Sequence, residues 1–499
     1  MDSGSPSGKR PACAGCLCLS GFFQDAPSRV SGSGLRRTFV LCFLDLAVFK
    51  CEGAVRKAHE VRQVRAVVHA LQDSDRPCLE LALGAQVDGA QRANRFADLH
   101  TVCFGRPTWR PAQNCAEERY QVSHQAILNG IDVLLEDDFR ALRDLRVAVV
   151  ANHSSITLDG RRTVDVLAQR RDLFLTSIFS PEHGPQGNVD ATVGDSTDER
   201  TGLPIYSLYG GSYRPTPQQL HQVDAVLYDL QDVGCRFYTY ITTLGLLLEA
   251  CGENGVAVYV LDRPNPIGGL DVEGPCSDSD HESFVAYHEL PLRHGMTVGE
   301  LARLFNAERN INAQLKVVTM GGWQRSFWHH NTGQRWIDPS PNIRDVTAAL
   351  LFPGVGLIEG SNVSVGRGTG NPFHVFGAPW MDGEAVARAV HERTIPGLRC
   401  ESAAFTPQDS VHRHYRQPCS GVHFIVEDEQ SFSPAALGLA IIEILRERYP
   451  DVWEYRSIEK LLGRSDLIEA IEDRSPELET LWKPDPDFFE ARARALLYG

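Results

Sequence analysis

A carboxylate and an imidazole stand side by side at Glu182 and His183, inside the stretch FSPEHGPQG that runs from Phe179 to Gly187. The residues before them read as a buried strand and Gly184-Pro185 as the start of a loop, so the pair sits where a strand opens, a common place for chemistry. Buried charge is rare without a task. The pair can serve as general acid and base, as metal ligands, or simply as a polar strand end. No second His follows at i+3 or i+4, so the helix of an HExxH metal site is absent.

Other stretches carry groups of the same kind. Asp229-Leu-Gln-Asp232-Val-Gly-Cys-Arg236-Phe-Tyr238-Thr-Tyr240 packs acids, an arginine and tyrosines into a strand-to-helix turn. Capping explains the acids, because Asp near a helix start satisfies free N–H groups. Arg236, beside acids and aromatics, suits a carboxylate-bearing ligand held bidentately. Asp262-Arg263-Pro264-Asn265-Pro266-Ile267-Gly268-Gly269 is stiffened by two prolines and opened by two glycines, as a structural or a binding loop would be. Gly366-Arg367-Gly368-Thr369-Gly370 lacks the Gly-Lys-Ser/Thr ending of a phosphate cradle, so nucleotide binding is not expected. No Gly-x-Ser-x-Gly elbow is present, which weighs against a serine hydrolase.

The elements that must position these groups begin near Tyr120. Helices are expected over His124–Leu134 and Glu136–Leu145. Then short β-branched runs alternate with helical spacing: strands at 146–152, 173–179, 203–210, 224–229 and 256–262, with helices at 160–171, 217–223 and 238–254 between them. Gly255 closes the longest helix. Repeated strand–helix–strand units imply a parallel sheet with helices on both faces. Ligands of such sheets bind outside the carboxyl ends of the strands. That rule gathers Asn152, Glu182, Tyr209, Asp229, Asp232 and Asp262 at one edge. After residue 295 the pattern predicts a helix (298–308), a strand (315–320), a long aperiodic stretch, and then helix (384–393), strand (398–405), strand (421–426) and helix (435–449). These form a smaller α+β unit, 296–499, with a helical tail.

The chain has 499 residues, 42% of them hydrophobic, and a formal charge of −15. A nucleic-acid partner would need a basic footprint that is missing overall. Residues 1–125 depart from the rest, with 16 Lys/Arg against 12 Asp/Glu and eight of the 13 cysteines. The remaining cysteines are five and widely spaced, so no disulfide framework is expected in the main body. Cys13-x-x-Cys16-x-Cys18 has no partner pair at zinc-finger spacing. The run from Arg36 outlines a secretory signal, but Asp45 interrupts it and no small-x-small cleavage site follows. No run reaches the length of a membrane-spanning helix. Residues 1–120 are read as a poorly ordered leader with one plausible helix near 55–71. With no Met between Met1 and Met296, a mis-called start and a true one near Val122 are expected.

Read in series, FSPEHG, TGLPIYSLYG, DLQDVGCRFYTY, LDRPNPIGG, LPLRHGMTVGELA, PSPN, EGSNVSVGRGT and PFHVFGAPW resemble a bacterial family once known only as a domain of unknown function. Its characterised members are exo-β-N-acetylmuramidases, which release N-acetylmuramic acid from the non-reducing end of peptidoglycan fragments. The match runs from about Gly130 to the carboxyl end. The resemblance implies an α/β fold, with a Rossmann-like doubly wound parallel-sheet subdomain over 121–295, a smaller α+β subdomain over 296–499, and the active-site cleft between them. It implies a catalytic Glu at Glu182 and a catalytic Tyr at Tyr209, with Tyr206 the other candidate. Asn152, His183, Asp232, Arg236, Tyr238, Tyr240, Asp262, Asn265, Asn342, Glu359 and Arg367 are the expected substrate-binding residues. No metal or nucleotide cofactor is expected, and the expected partner is a muropeptide or amino-sugar glycoside, met after export or during recycling inside the cell. Pro185-Gln186 and Arg367-Gly-Thr-Gly-Asn371-Pro-Phe373 depart from the family pattern by two basic side chains, which bears on the exact sugar. Two other readings stay open: a metal-dependent hydrolase using Glu182, His183, Asp229 and Asp262, and a sugar-binding protein without turnover.

Overall fold

A computed structural model describes residues 64–70, 78–85, 102–103, 126–188 and 193–499. The chain divides into two compact units, 1–119 and 120–499. In the first, β1 (Val64–Ala70), β2 (Cys78–Ala85) and β3 (Val102–Cys103) pair antiparallel in that order. The helix expected near 55–71 is therefore corrected to a strand over 64–70, whose run Val-Arg-Ala-Val-Val is β-branched. The cysteine cluster at 13–18 and the signal-like run from Arg36 lie outside the described residues.

The second unit begins with α1 (Gly130–Glu136), capped by Asn129 and Asp132 in a reciprocal box. The helix expected over Glu136–Leu145 is not formed. Asp138, Phe139 and Asp144 take left-handed backbone conformations (φ 52°, 51° and 62°), leaving one 3₁₀ turn at Arg140–Leu142. Then follow β4 (Arg146–Ala151), α2 (Thr163–Ala168), β5 (Phe174–Ser180), β6 (Ser196–Thr197), β7 (Pro204–Ser207), α3 (Pro217–Leu220), β8 (Ala225–Asp229), α4 (Tyr240–Asn254), β9 (Ala257–Leu261), α5 (Val298–Glu308) and β10 (Leu315–Val318). They build a seven-stranded sheet in the order β10-β9-β8-β4-β5-β7-β6, parallel except for the edge pair β6/β7. β10, expected in the second subdomain, is an edge strand of this sheet, so the sheet extends past residue 295.

The sheet is doubly wound: strand order reverses between β4 and β8, which neighbour each other although β5 to β7 intervene in sequence. β4 and β8 are buried almost throughout, which is why their sequences are continuous apolar runs and not alternations. One core cluster packs α1 and α2 on one face, around Ile131, Val147, Val149 and Val164. The larger cluster packs α4 and α5 on the other and continues into the second subdomain. α4 ends at Gly255, whose φ of 65° suits the position that a Cβ would strain.

The rest of the unit contains α6 (Val346–Val355), β11 (Val375–Ala378), α7 (Gly383–Glu392), β12 (Leu398–Phe405), β13 (Cys419–Val426) and α8 (Pro434–Arg448), then four shorter helices ending with Pro486–Ala495. β11, β13 and β12 form an antiparallel sheet in that order. α6 lies in the stretch read as aperiodic. It is buried from Ala348 to Val355, and a helix that is apolar all round shows no amphipathic period. The five cysteines of this unit are free.

Candidate active site

β5 ends at Ser180, and Pro181 to Gly184 close a tight turn through the Gly184 amide and the Pro181 carbonyl, 3.1 Å apart. His183 sits in this turn at φ 70°, a left-handed conformation uncommon for a side-chain-bearing residue and concentrated at functional sites. Gly187 ends the stretch against His153, where an added Cβ would stand 1.9 Å from the imidazole, so only glycine fits. The turn presents Glu182 and His183 to a cavity of about 420 Å³. Tyr209 after β7, Phe237, Tyr238 and Thr239 before α4, and Ser340 complete the side built from the sheet. Phe352, Glu359, Arg367, Val411, His412 and Leu461 come from the second subdomain.

Thr239 occupies the N-cap of α4, but its hydroxyl does not cap the helix. It donates to Oε2 of Glu182. A half-buried carboxylate is thus held from one side by a neutral donor, with the cavity on the other. Tyr240, fully buried, is a junction: its hydroxyl accepts from Asn152 Nδ2 at 3.0 Å and donates to the Pro339 carbonyl at 2.8 Å. Burial pushes the phenol well up from its ordinary range, so it stays a neutral donor. His153 Nε2 reaches the Asp338 carbonyl at 2.6 Å, and burial lowers this imidazole below its usual value. These bonds fix residues 338–340 against the strand ends.

Also on the lining, Arg367 pairs with Glu359, its Nε at 2.5 Å from Oε1 and its Nη2 at 3.1 Å from Oε2, while its guanidinium lies 5.1 Å from the Phe373 ring centre. The cavity therefore holds two carboxylates, one guanidinium and two imidazoles within aromatic walls. That combination fits a polar ligand carrying its own carboxylate.

Of the residues expected from sequence, Glu182, Tyr209, His183, Tyr238, Glu359 and Arg367 line the cavity. Between the two tyrosine candidates, Tyr209 faces the cavity and Tyr206 packs on Phe179 with ring centres 5.8 Å apart. The other expected substrate contacts are bonded inside the protein. Arg236 donates to four carbonyls, those of Pro275, Leu290, Leu461 and Leu462, at 2.6–2.8 Å, and burial lowers its guanidinium to about 10. Asp232 accepts from the Gly234 amide at 2.7 Å and faces His294 at 3.2 Å. Asp262 accepts from Thr297, Gly299 and Tyr498, and Asn265 links Met296 and Ile267. Asn152 is buried against Tyr240, and Asn342 lies in a buried turn outside the lining. Asp229 is paired with Arg263 at 2.6 Å and accepts from Thr163. Among the described residues no group of three or more His, Cys, Asp or Glu is placed to hold a metal.

Thr239, Phe352 and His412 are lining residues that sequence reasoning missed. Thr239 stands between Tyr238 and Tyr240 in a stretch already singled out; the other two come from segments whose approach depends on the second subdomain's packing. A further cavity of about 440 Å³ opens over the β4/β8 crossover, lined by residues that include Asn129, Asp159, Gln231, Arg263 and Trp336.

The family described as exo-beta-N-acetylmuramidase NamZ, N-terminal, matches residues 147–347, and the corresponding C-terminal family matches 350–498. The peptidoglycan beta-N-acetylmuramidase NamZ of Bacillus subtilis (strain 168) is 39% identical over 380 residues, covering 74% of this chain and 91% of that protein. Two crystal structures of DUF1343-family proteins from Bacteroides fragilis NCTC 9343 match with TM-scores of 0.69 and 0.60, at 32% and 28% identity. They cover 75% and 74% of this chain and 99% of each of their own.

Proposed function

Because this chain belongs to the exo-β-N-acetylmuramidase family, we propose that it is a glycosidase that releases N-acetylmuramic acid from the non-reducing end of peptidoglycan fragments. The observation that carries the reading is the meeting of Glu182 and Tyr209 on one cavity within a chain matched by both family halves.

In this reading Glu182 is the general acid that protonates the glycosidic oxygen, a role that favours a carboxyl in a partly desolvated cleft. Thr239 positions it by holding one oxygen, which leaves the other for the substrate. Tyr209 stabilises the oxocarbenium-like centre or attacks it, a departure from the usual carboxylate pair, and the acetamido group of the sugar offers substrate assistance. Asp229, Asp232 and Asp262, the alternative second carboxylates, are engaged elsewhere, and Glu359, the other carboxylate on the cavity, is paired with Arg367, which supports a tyrosine over a second acid. Arg367, with the imidazoles of His183 and His412 nearby on the lining, is the group suited to the lactyl carboxylate.

The test is to incubate the full chain with the disaccharide of N-acetylmuramic acid β-linked to N-acetylglucosamine, with and without a chelator. Free N-acetylmuramic acid in both is the expected result. Release only without chelator would support the metal-dependent reading, and saturable binding without release would support a lectin-like one.

A further inference from the structure

We propose that Tyr213 and Phe284 form the platform that receives the sugar on the leaving-group side of the scissile bond, an inference that rests on the muramidase reading above. A cavity of about 420 Å³ stands near the small end of small-molecule sites. It has room for one substituted sugar ring and not for a glycan, so the remainder of a fragment must pass out over the mouth.

At that mouth three rings form a cluster. Tyr209, part of the cavity wall, lies 5.7 Å from Phe284 and 5.9 Å from Tyr213, and Tyr213 and Phe284 lie 4.5 Å apart at an interplanar angle of 43°. None of the three belongs to a hydrophobic core cluster, so core packing does not account for them. Tyr213 is 44% exposed, and Val411, a lining residue from the second subdomain, is 62% exposed. Exposed apolar groups gathered at a cavity rim mark a binding surface. The occupant is set by continuity: Tyr209 belongs both to the wall around the reacting sugar and to the cluster, so the group that meets Tyr213 and Phe284 is the next sugar along. A pyranose presents a face of C–H groups that an aromatic ring covers well, while its hydroxyls stay in water.

The experiment compares kcat/KM on two substrates, the methyl β-glycoside of N-acetylmuramic acid and its disaccharide with N-acetylglucosamine. Wild type should prefer the disaccharide. Tyr213→Ala and Phe284→Ala should shrink that preference about tenfold, the equivalent of ~1.4 kcal/mol, mainly through KM for the disaccharide. Tyr213→Phe, which keeps the ring, should retain it. A disaccharide-to-methyl ratio unchanged in both alanine variants would overturn the platform while leaving the muramidase reading intact. A wild-type chain that cleaves neither substrate would overturn both.

Discussion

On the proposed reading, the chemistry at Glu182 depends on one carboxyl held by a neutral hydroxyl donor, at the end of a strand and at the side of a cavity. Glu182→Gln keeps the shape and the Thr239 contact but removes the transferable proton. We expect kcat to fall by about 10²–10⁴-fold, the usual worth of general acid catalysis, with the melting temperature little changed. The two tyrosines give a sharper comparison. Tyr209→Phe should lower kcat by at least about tenfold, since one lost transition-state interaction of ~1.4 kcal/mol has that effect. Tyr206→Phe, which keeps the ring that packs on Phe179, should leave kcat within about twofold, a change below ~0.5 kcal/mol. A large loss in Tyr206→Phe with kcat kept in Tyr209→Phe would reverse the assignment. That Glu182 stands where a strand opens into a loop was legible in the sequence. Which tyrosine faces the cavity was not, because strand and loop residues three apart point to different surroundings only once the strand's end is known.

At the scale of elements, the turn from β8 into α4 does structural work that its composition disguises. Arg236 looked like a ligand for a substrate carboxylate because it stands among acids and aromatics. Instead its guanidinium binds the carbonyls of Pro275, Leu290, Leu461 and Leu462, tying a short helix near the carboxyl end to the sheet subdomain. Replacing it with Met would leave buried carbonyls without donors, at a cost of about 1–3 kcal/mol each for those that water cannot reach. Denaturant unfolding of Arg236→Met should therefore show a loss of several kcal/mol. Arg367→Met, at the cavity, should lose much less stability and raise KM. If Arg236→Met were as stable as wild type and only KM rose, Arg236 would be a substrate contact after all. The missed helix α6 has the same origin as the misread arginine. Both owe their character to what surrounds them on every side, and one stretch of sequence does not contain its surroundings.

At the scale of the whole molecule, the carboxyl-terminal segment closes back on the sheet. Tyr498 donates to Asp262 at 2.5 Å, and Thr297 and the Gly299 amide donate to the same carboxyl, both at 2.8 Å. Burial nevertheless dominates and pushes Asp262 up from 3.8 to about 7. A group with a raised value in the folded state binds its proton more tightly there than in the unfolded chain. Its contribution to stability is full below about pH 3.8 and is lost as pH rises through about 7. The stability of wild type minus that of Asp262→Asn should thus decline between pH 4 and pH 7, measured by denaturant unfolding at each pH. A flat difference would show that the three donors offset burial, and a rising one that they outweigh it.

By itself the sequence determined the alternation of strand and helix, the doubly wound class, the free cysteines of the main unit and the position of Glu182 at a strand end. These follow from local rules: apolar runs of strand length, helical spacing, glycine stops and the constraint that parallel strands put their carboxyl ends on one edge. Tertiary structure alone decided which polar groups at that edge face the cavity. Asn152, Asp229, Asp232 and Asp262 stand at the same edge as Glu182, yet each is bonded within the protein. The physical reason is that a buried polar group must find a partner, and whether the partner is protein or substrate depends on other segments, which for Asp262 reach as far as Tyr498.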